Sequence, residues 1–307
     1  MTKPLIIGTR ASKLALAQAE MLRAALLAVQ PDITIELASM TTAGDREVHK
    51  QLTDWGYKGL FTKELEDALL DGRIDLAVHS TKDMPSILPD GLVLAATLER
   101  ADTRDAWVST KHASIEALPQ GAVVGTSSTR RAAQLLHIRP DVQIVPLRGN
   151  VDTRLQKLRD GVAEATFLAA AGLKRLGYEG HIRALIPTEL MLPAAAQGAI
   201  GIECRTEDGA MRSLLGKINH ADTFTAITAE RAYLLTLDGS CRTPIGGLAE
   251  LKNGMLFLRG EVLSLDGSIR HYREIHGNAA DAAALGHALG TQLRSDAGEA
   301  FMKEMHA

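Results

Sequence analysis

The sequence predicts an α/β protein in which two similar α/β domains precede a small α+β domain. Three observations predict it. Short apolar runs typical of buried strands alternate with segments of helical periodicity through most of the chain. The stretches I-G-T-R-A-S at 7–12 and V-G-T-S-S-T-R-R at 124–131 echo each other, each passing from a strand through Gly-Thr into a helix capped by serine. Beyond about residue 222 the alternation gives way to a helix, a cysteine loop, a hairpin and a final helix.

Residues 5–8 read as a short buried strand, and Ser12 as the N-cap of a helix to about Val29, with Leu14, Ala17, Met21, Ala25 and Leu26 at helical spacing. Ile33, Ile35 and Leu37 alternate with polar residues, as in a strand. Residues 63–70 read as a helix and 74–79 as a strand. The second domain repeats this grammar, with strands at 123–125, 142–145 and 165–169 and helices at 128–137 and 152–159. Residues 199–204 form a further apolar run, placing Cys204 on a buried strand as a small hydrophobe. The last part reads as a helix at 223–237, strands at 255–263 and 268–276 joined by the turn Asp266-Gly267, and an alanine-rich helix at 279–295. Linkers are expected at 99–104 and 187–197.

Composition narrows the function. The chain has 307 residues, 46% of them apolar and 23% charged, which suits a multi-domain globular protein. A net charge of -3 argues against broad nucleic-acid binding, so any basic site is local. An aromatic content of 4% argues against a base-stacking surface. No apolar run reaches the roughly 20 residues that cross a bilayer. The start, M-T-K-P-L-I-I-G-T-R, lacks the features of a signal peptide. Two cysteines do not make a disulfide framework, so a cytoplasmic setting is expected.

Four constellations carry chemistry. Arg10, Arg130, Arg131, Arg148, Arg154 and Arg175 sit at strand–helix junctions or first helical turns, several beside Gly, Ser or Thr. A single arginine there is ordinarily a solvated charge. As a set, with helix N-termini and hydroxyls beside them, they suit a ligand with several carboxylates. H-S-T-K-D-M-P at 79–85 follows a buried strand and presents Asp83 in a short loop, either as an acid/base or cation-stabilising group or as a turn aspartate bonding its own backbone. His79 reads as structural. Cys241, in L-D-G-S-C-R-T-P-I-G, is preceded by glycine and serine and followed by arginine, a setting that favours an exposed thiol of lowered pKa. G-Y-K-G-L-F at 56–61 reads as a flap or an ordinary exposed loop. Phosphate-loop, dinucleotide and zinc spacings are missing, so neither a nucleotide nor a metal is expected.

Taken together, these segments resemble the porphobilinogen deaminase (hydroxymethylbilane synthase) family. The matching stretches are G-T-R-A-S at Gly8, G-D at Gly44, G-x-K-G-L-F at Gly56, H-S-T-K-D-M-P at His79, G-T-S-S-T-R-R at Gly125, L-R-G-N-V-D-T-R-L at Leu147, A-A-A-G-L-K-R-L at Ala169, Q-G-A-I-G-I-E-C-R at Gln197 and G-S-C-R-T-P-I-G at Gly239. The resemblance implies a transferase of porphyrin and haem biosynthesis that joins four porphobilinogen molecules head to tail, releases ammonia at each addition and hydrolyses off the linear tetrapyrrole. It implies a dipyrromethane cofactor in thioether linkage to Cys241, and Asp83 as the catalytic carboxylate. Cofactor binding falls to Lys82, Asp83, Thr126, Ser128, Arg130 and Arg131. Substrate binding falls to Arg10, Ser12, Gln18, Arg148, Arg154 and Arg175, and the flap to Lys58 and Phe61. The implied fold is two periplasmic-binding-protein-like domains, 1–98 with 199–216 and 104–192, plus the α+β domain 221–307 that carries the cysteine. A cytoplasmic monomer acting on porphobilinogen, with no nucleic-acid or membrane partner, is the corresponding expectation.

Departures from the family pattern are Ala43, Asp54, Thr129 and Ala196, which bear on flap electrostatics and handling of the growing chain. The repeated α/β grammar alone would also suit a non-catalytic, two-lobed carboxylate-binding protein, and Cys241 alone a thiol-dependent hydrolase.

Overall fold

A computed structural model of the chain describes residues 3–42, 61–239 and 243–306. Lys58, Ala43, Asp54, the Gly44-Asp45 pair and the tether candidate Cys241 lie outside the described residues. In chain order the elements begin with β1 (Leu5–Arg10), α1 (Lys13–Val29), β2 (Ile35–Met40), α2 (Lys63–Leu70), β3 (Leu76–Ser80) and β4 (Leu92–Thr97). There follow β5 (Asp105–Ser109), β6 (Val123–Gly125), α3 (Thr129–Ile138), β7 (Gln143–Val145), α4 (Val151–Arg159), β8 (Ala165–Ala169), α5 (Ala170–Arg175) and β9 (Ala184–Leu185). The remainder is β10 (Ile200–Arg205), α6 (Gly209–Gly216), α7 (Ala221–Thr236), β11 (Ile245–Lys252), β12 (Met255–Leu263), β13 (Arg270–Asn278) and α8 (Ala282–His306), the last broken at Gly298 with φ 78.

The chain divides into two compact units, 1–101 with 198–224 and 102–197 with 225–307. In the first, the sheet order is β2-β1-β3-β10-β4. The first three strands are parallel, β10 runs antiparallel to β3, and β4 antiparallel to β10. α1 buries Ala15, Ala19, Leu22 and Leu26, one helical face, the last three in a common core with Leu76 and Val78. α2 buries Leu65, Ala68 and Leu69 with Ile74 and Ala77 in a second cluster. Because both faces are covered, β1, β3 and β10 are built on apolar runs and need not alternate.

The second unit holds two sheets. One is ordered β7-β6-β8-β5-β9, again with three parallel strands followed by two that each run antiparallel to the neighbour before. Its centre is Trp107 edge-on to Phe167 at 5.1 Å. The other is the antiparallel sheet β11-β12-β13, whose apolar residues pack with α7 and α8 around Tyr233. Two α/β domains and a small C-terminal domain of three strands and helices thus make up the protein.

Glycines in the last sheet exist for Tyr233. A Cβ at Gly260 would stand 2.8 Å from its ring carbon, and one at Gly247 2.9 Å. The buried hydroxyl donates to Gly246 O at 3.2 Å and Glu261 O at 3.1 Å, so the ring sits flush on backbone that side chains would push away.

Candidate functional site

In the first unit, β1 and β3 end at the same edge of the sheet, and the residues that follow them line one cleft. Arg10 closes β1, and Ser12 caps α1 by accepting from Ala15 N at 3.3 Å. One turn into the helix, Gln18 donates to Ser80 Oγ at 2.9 Å, fixing the end of β3. Residues 81–83 then make a single 3-10 turn that carries Asp83 into the cleft with Arg10, Ser12, Gln18 and Phe61. The Arg10 guanidinium lies 4.4 Å over the Phe61 ring, a cation–π contact that orients both. Arg10, Ser12, Gln18, Phe61 and Asp83 are therefore brought together, with Lys82 beside Asp83 on the turn.

Behind this cleft lies a group that sequence reasoning read only as a structural histidine. His79 Nε2 meets Glu203 Oε2 at 3.1 Å, and both side chains are buried. Glu66 is buried as well; burial, reinforced by Glu203, raises its carboxyl above the usual range. A glutamate inside the apolar run I-G-I-E-C-R was the signal, because a charge there demands a partner. Cys204, next in that run, is fully buried on β10 and its thiol is pushed up to about 11, which leaves it inert.

In the second unit, Thr126 N donates to Val145 O at 2.9 Å and the Thr126 hydroxyl accepts from Ser128 N at 3.1 Å. Ser128 caps α3, its hydroxyl accepting from Arg131 N at 3.4 Å. Arg130 and Arg131, on the first turn, run inward. Arg130 gives Nη2 to Asp105 Oδ2 at 2.8 Å and Nη1 to Leu192 O at 2.7 Å. Arg131 gives Nη2 to Asp105 Oδ1 at 2.7 Å and Nη1 to Phe167 O at 3.0 Å. Gln197 adds a bond to Asp105 Oδ1 at 2.9 Å. Burial alone would raise the Asp105 carboxyl, but the two guanidinium charges outweigh it and hold the group far below the usual carboxylate range. Asp105 and Gln197 were missed because the sequence places them far from the arginines.

Both Nε atoms of this pair, and the Ser127 hydroxyl, are buried with no hydrogen-bond partner. Unspent N–H donors on two cations at a helix N-terminus suit a carboxylate, the group that each pyrrole of a dipyrromethane would bring.

Elsewhere in this unit, Gly149 at φ 115 turns the chain into α4, and a Cβ there would stand 2.6 Å from Thr153. The turn lets its carbonyl accept Arg154 Nε at 2.8 Å, while Lys157 donates to Arg148 O at 3.1 Å. Arg175 ends α5, where burial pushes its guanidinium down to about 10. Within the unit, Gly247 N donates to Pro193 O at 2.9 Å, so β11, which begins four positions after Cys241, lies against the segment that accepts Arg130. No helix among the described residues is long and apolar enough to cross a membrane.

Two α/β sheets carry helix N-termini and arginines at their strand ends, and the first has a cleft lined by Asp83. Comparison with known proteins makes this specific. Residues 5–213 match the family model described as porphobilinogen deaminase, dipyromethane cofactor binding domain, and residues 224–295 match porphobilinogen deaminase, C-terminal domain. The chain belongs to the porphobilinogen deaminase family. A relative from Paracoccus denitrificans (strain Pd 1222), named Porphobilinogen deaminase, is 53% identical over 296 residues, 96% of this chain and 95% of its own. Another so named, from Roseiflexus sp. (strain RS-1), is 49% identical over 302 residues, covering 98% and 99%. Among solved structures, a nutrient binding protein from Burkholderia cenocepacia bound to methionine is 14% identical over 76% of this chain and 95% of that chain, with a TM-score of 0.44, too loose a likeness to add to the topology above.

Proposed function

We propose that this protein polymerises four porphobilinogen molecules into the linear tetrapyrrole hydroxymethylbilane, releasing ammonia at each addition, as a transferase of porphyrin and haem biosynthesis. One observation carries the reading. Within a member of this family, the matched carboxylate Asp83 shares a cleft with three of the matched substrate residues, Arg10, Ser12 and Gln18.

The chemistry asks for that arrangement. The aminomethyl C–N bond of porphobilinogen breaks with its electron pair leaving on nitrogen as ammonia, and the methylene carbon becomes part of a delocalised pyrrole cation. A fixed carboxylate at Asp83 stabilises this cation as it forms. The free α-carbon of the acceptor ring then makes the new C–C bond and loses its proton, restoring aromaticity. Each pyrrole carries an acetate and a propionate, so the growing chain gathers negative charge, which Arg10, Arg148, Arg154 and Arg175 meet. Thr126, Ser128, Arg130 and Arg131, with Lys82, receive carboxylates of the cofactor. A dipyrromethane held by thioether to Cys241 supplies the primer to which new rings are added. The same reading divides the chain into domains at 1–98 with 199–216, 104–192 and 221–307, and has it act as a cytoplasmic monomer.

Intact mass of denatured protein from cells that make porphobilinogen tests the tether: a covalent dipyrrole is expected on the wild type and none on Cys241→Ala. An unmodified wild-type mass overturns the cofactor reading. Ammonia release from porphobilinogen tests the reaction.

A further inference from the structure

The Asp105 cluster is unbalanced in a way that its burial does not tolerate by itself. Asp105, Arg130 and Arg131 are 1%, 4% and 5% exposed. One carboxylate faces two guanidinium groups, so one positive charge remains uncompensated, and Gln197 brings hydrogen bonds but no charge. Glu261, whose charge also bears on Arg130, is taken up by Arg270 at 2.7 Å. Four of the six guanidinium nitrogens are spent, on Asp105, Leu192 O and Phe167 O, and all four are terminal. Neither Nε–H group has a partner among the described residues, and each is a buried donor whose desolvation is not repaid within the protein.

We propose that Asp105, steadied by Gln197, is a positioning residue that builds a site for a single carboxylate from Arg130 and Arg131. It takes one terminal nitrogen from each arginine, which fixes both side chains and leaves their Nε edges for the ligand. It cancels one of the two charges, so one further carboxylate balances the cluster in charge and offers acceptors to the Nε–H groups. A second aspartate in place of Gln197 would fill the site from within; a neutral amide there supports the carboxylate without competing for the arginines. The inference rests on the reading that Arg130 and Arg131 receive a cofactor carboxylate.

The test follows cofactor loading rather than turnover. Full-length chain made in cells unable to synthesise porphobilinogen is incubated with porphobilinogen at graded concentrations, and dipyrrole attachment is followed by intact mass. Circular dichroism and a melting curve define conditions in which each variant is folded. Asp105→Asn is expected to raise the half-saturating porphobilinogen concentration about 10-fold or more, the scale of losing charge-assisted hydrogen bonds, and Gln197→Met, which keeps the volume, about 3-fold. Asp105→Glu recovers part of the loss. A purely structural role would lower the melting temperature and leave half-saturation unmoved, and that result in a folded Asp105→Asn overturns the inference. Should Asp105→Asn not fold, Gln197→Met decides alone by the same criterion. Arg130→Gln and Arg131→Gln separate the two levels. If they load like the wild type, the carboxylate reading itself fails. If they are impaired while Asp105→Asn and Gln197→Met load normally, only the positioning role fails.

Discussion

The Asp83 cleft and the Asp105 cluster are both built from a carboxylate and arginines, yet they treat the carboxylate in opposite ways. Asp83 is partly exposed on a one-turn loop, lining a cleft with Arg10, Ser12 and Gln18. Asp105 is buried on a central strand, with both oxygens bonded to arginine. A carboxylate meant to meet a transient cation must keep its charge uncommitted until the cation appears. A carboxylate meant to hold other groups still must commit it fully. The contrast separates a cleft carboxylate from a buried, fully bonded one without reference to the ligand.

The largest expected effect breaks the comparison on the reacting side. Asp83→Asn is expected to lower the rate of ammonia release by at least about 100-fold while leaving the melting temperature within a degree or two of wild type, since Asp83 is partly exposed at the end of a single turn. A fully active Asp83→Asn would remove its assigned role. On the supporting side, Asp105→Asn leaves two buried guanidinium charges uncompensated and should cost about 3–5 kcal/mol of stability in denaturant unfolding. A loss below about 1 kcal/mol would mean that water or relaxation replaces the carboxylate.

Acid sharpens the contrast, because two buried acids carry opposite signs. Asp105 has a folded-state pKa depressed below its unfolded value, so its contribution is present above about pH 4 and is lost as pH falls. Glu66 has a raised folded-state pKa, so stability is full below about pH 4.5 and is lost as pH rises through its folded value. Glu66→Gln should therefore stabilise the protein at pH 7 and lose that advantage by pH 4, as read from melting curves across that range. The smallest effect belongs to the cleft rim: Phe61→Leu removes the contact with Arg10 and should cost about 0.5–1 kcal/mol of stability.

How much of this was legible depended on whether a residue's role is local. The Ser12 and Ser128 caps, α2 and β12 could be read from neighbours a few positions away, whereas Gln18 came only from the resemblance to the family. β5 escaped because D-A-W-V-S is buried on every side and shows no alternation. β11 escaped because I-G-G-L-A-E-L-K spends two positions on glycine, which strands disfavour unless, as here, side chains must lie close against them, Leu192 and Glu261 at Gly246 and Tyr233 at Gly247. The final helix was expected to stop at residue 295 but runs to His306, since the turn at Gly298 is followed by a further helical segment whose Met302 and Met305 join the core. The Asp105 cluster was the least legible. Its members come from 105, 130, 131 and 197, and only the closed sheet brings them within hydrogen-bond reach.

The place of β10 has a consequence for how the chain matures. It lies between β3 and β4, pairing Ala77 with Glu203 at a sequence separation of 126, and the whole of the β5–β9 sheet is encoded in between. As the polypeptide leaves the ribosome, the inserted sheet has all of its strands at hand before the first sheet can close. β4 must wait beside a gap until residues 200–205 emerge, with apolar faces and open strand edges on both sides of it. A chain halted before that point would carry a finished inner sheet and an unfinished outer one, so the first domain written is completed only after the one inserted within it.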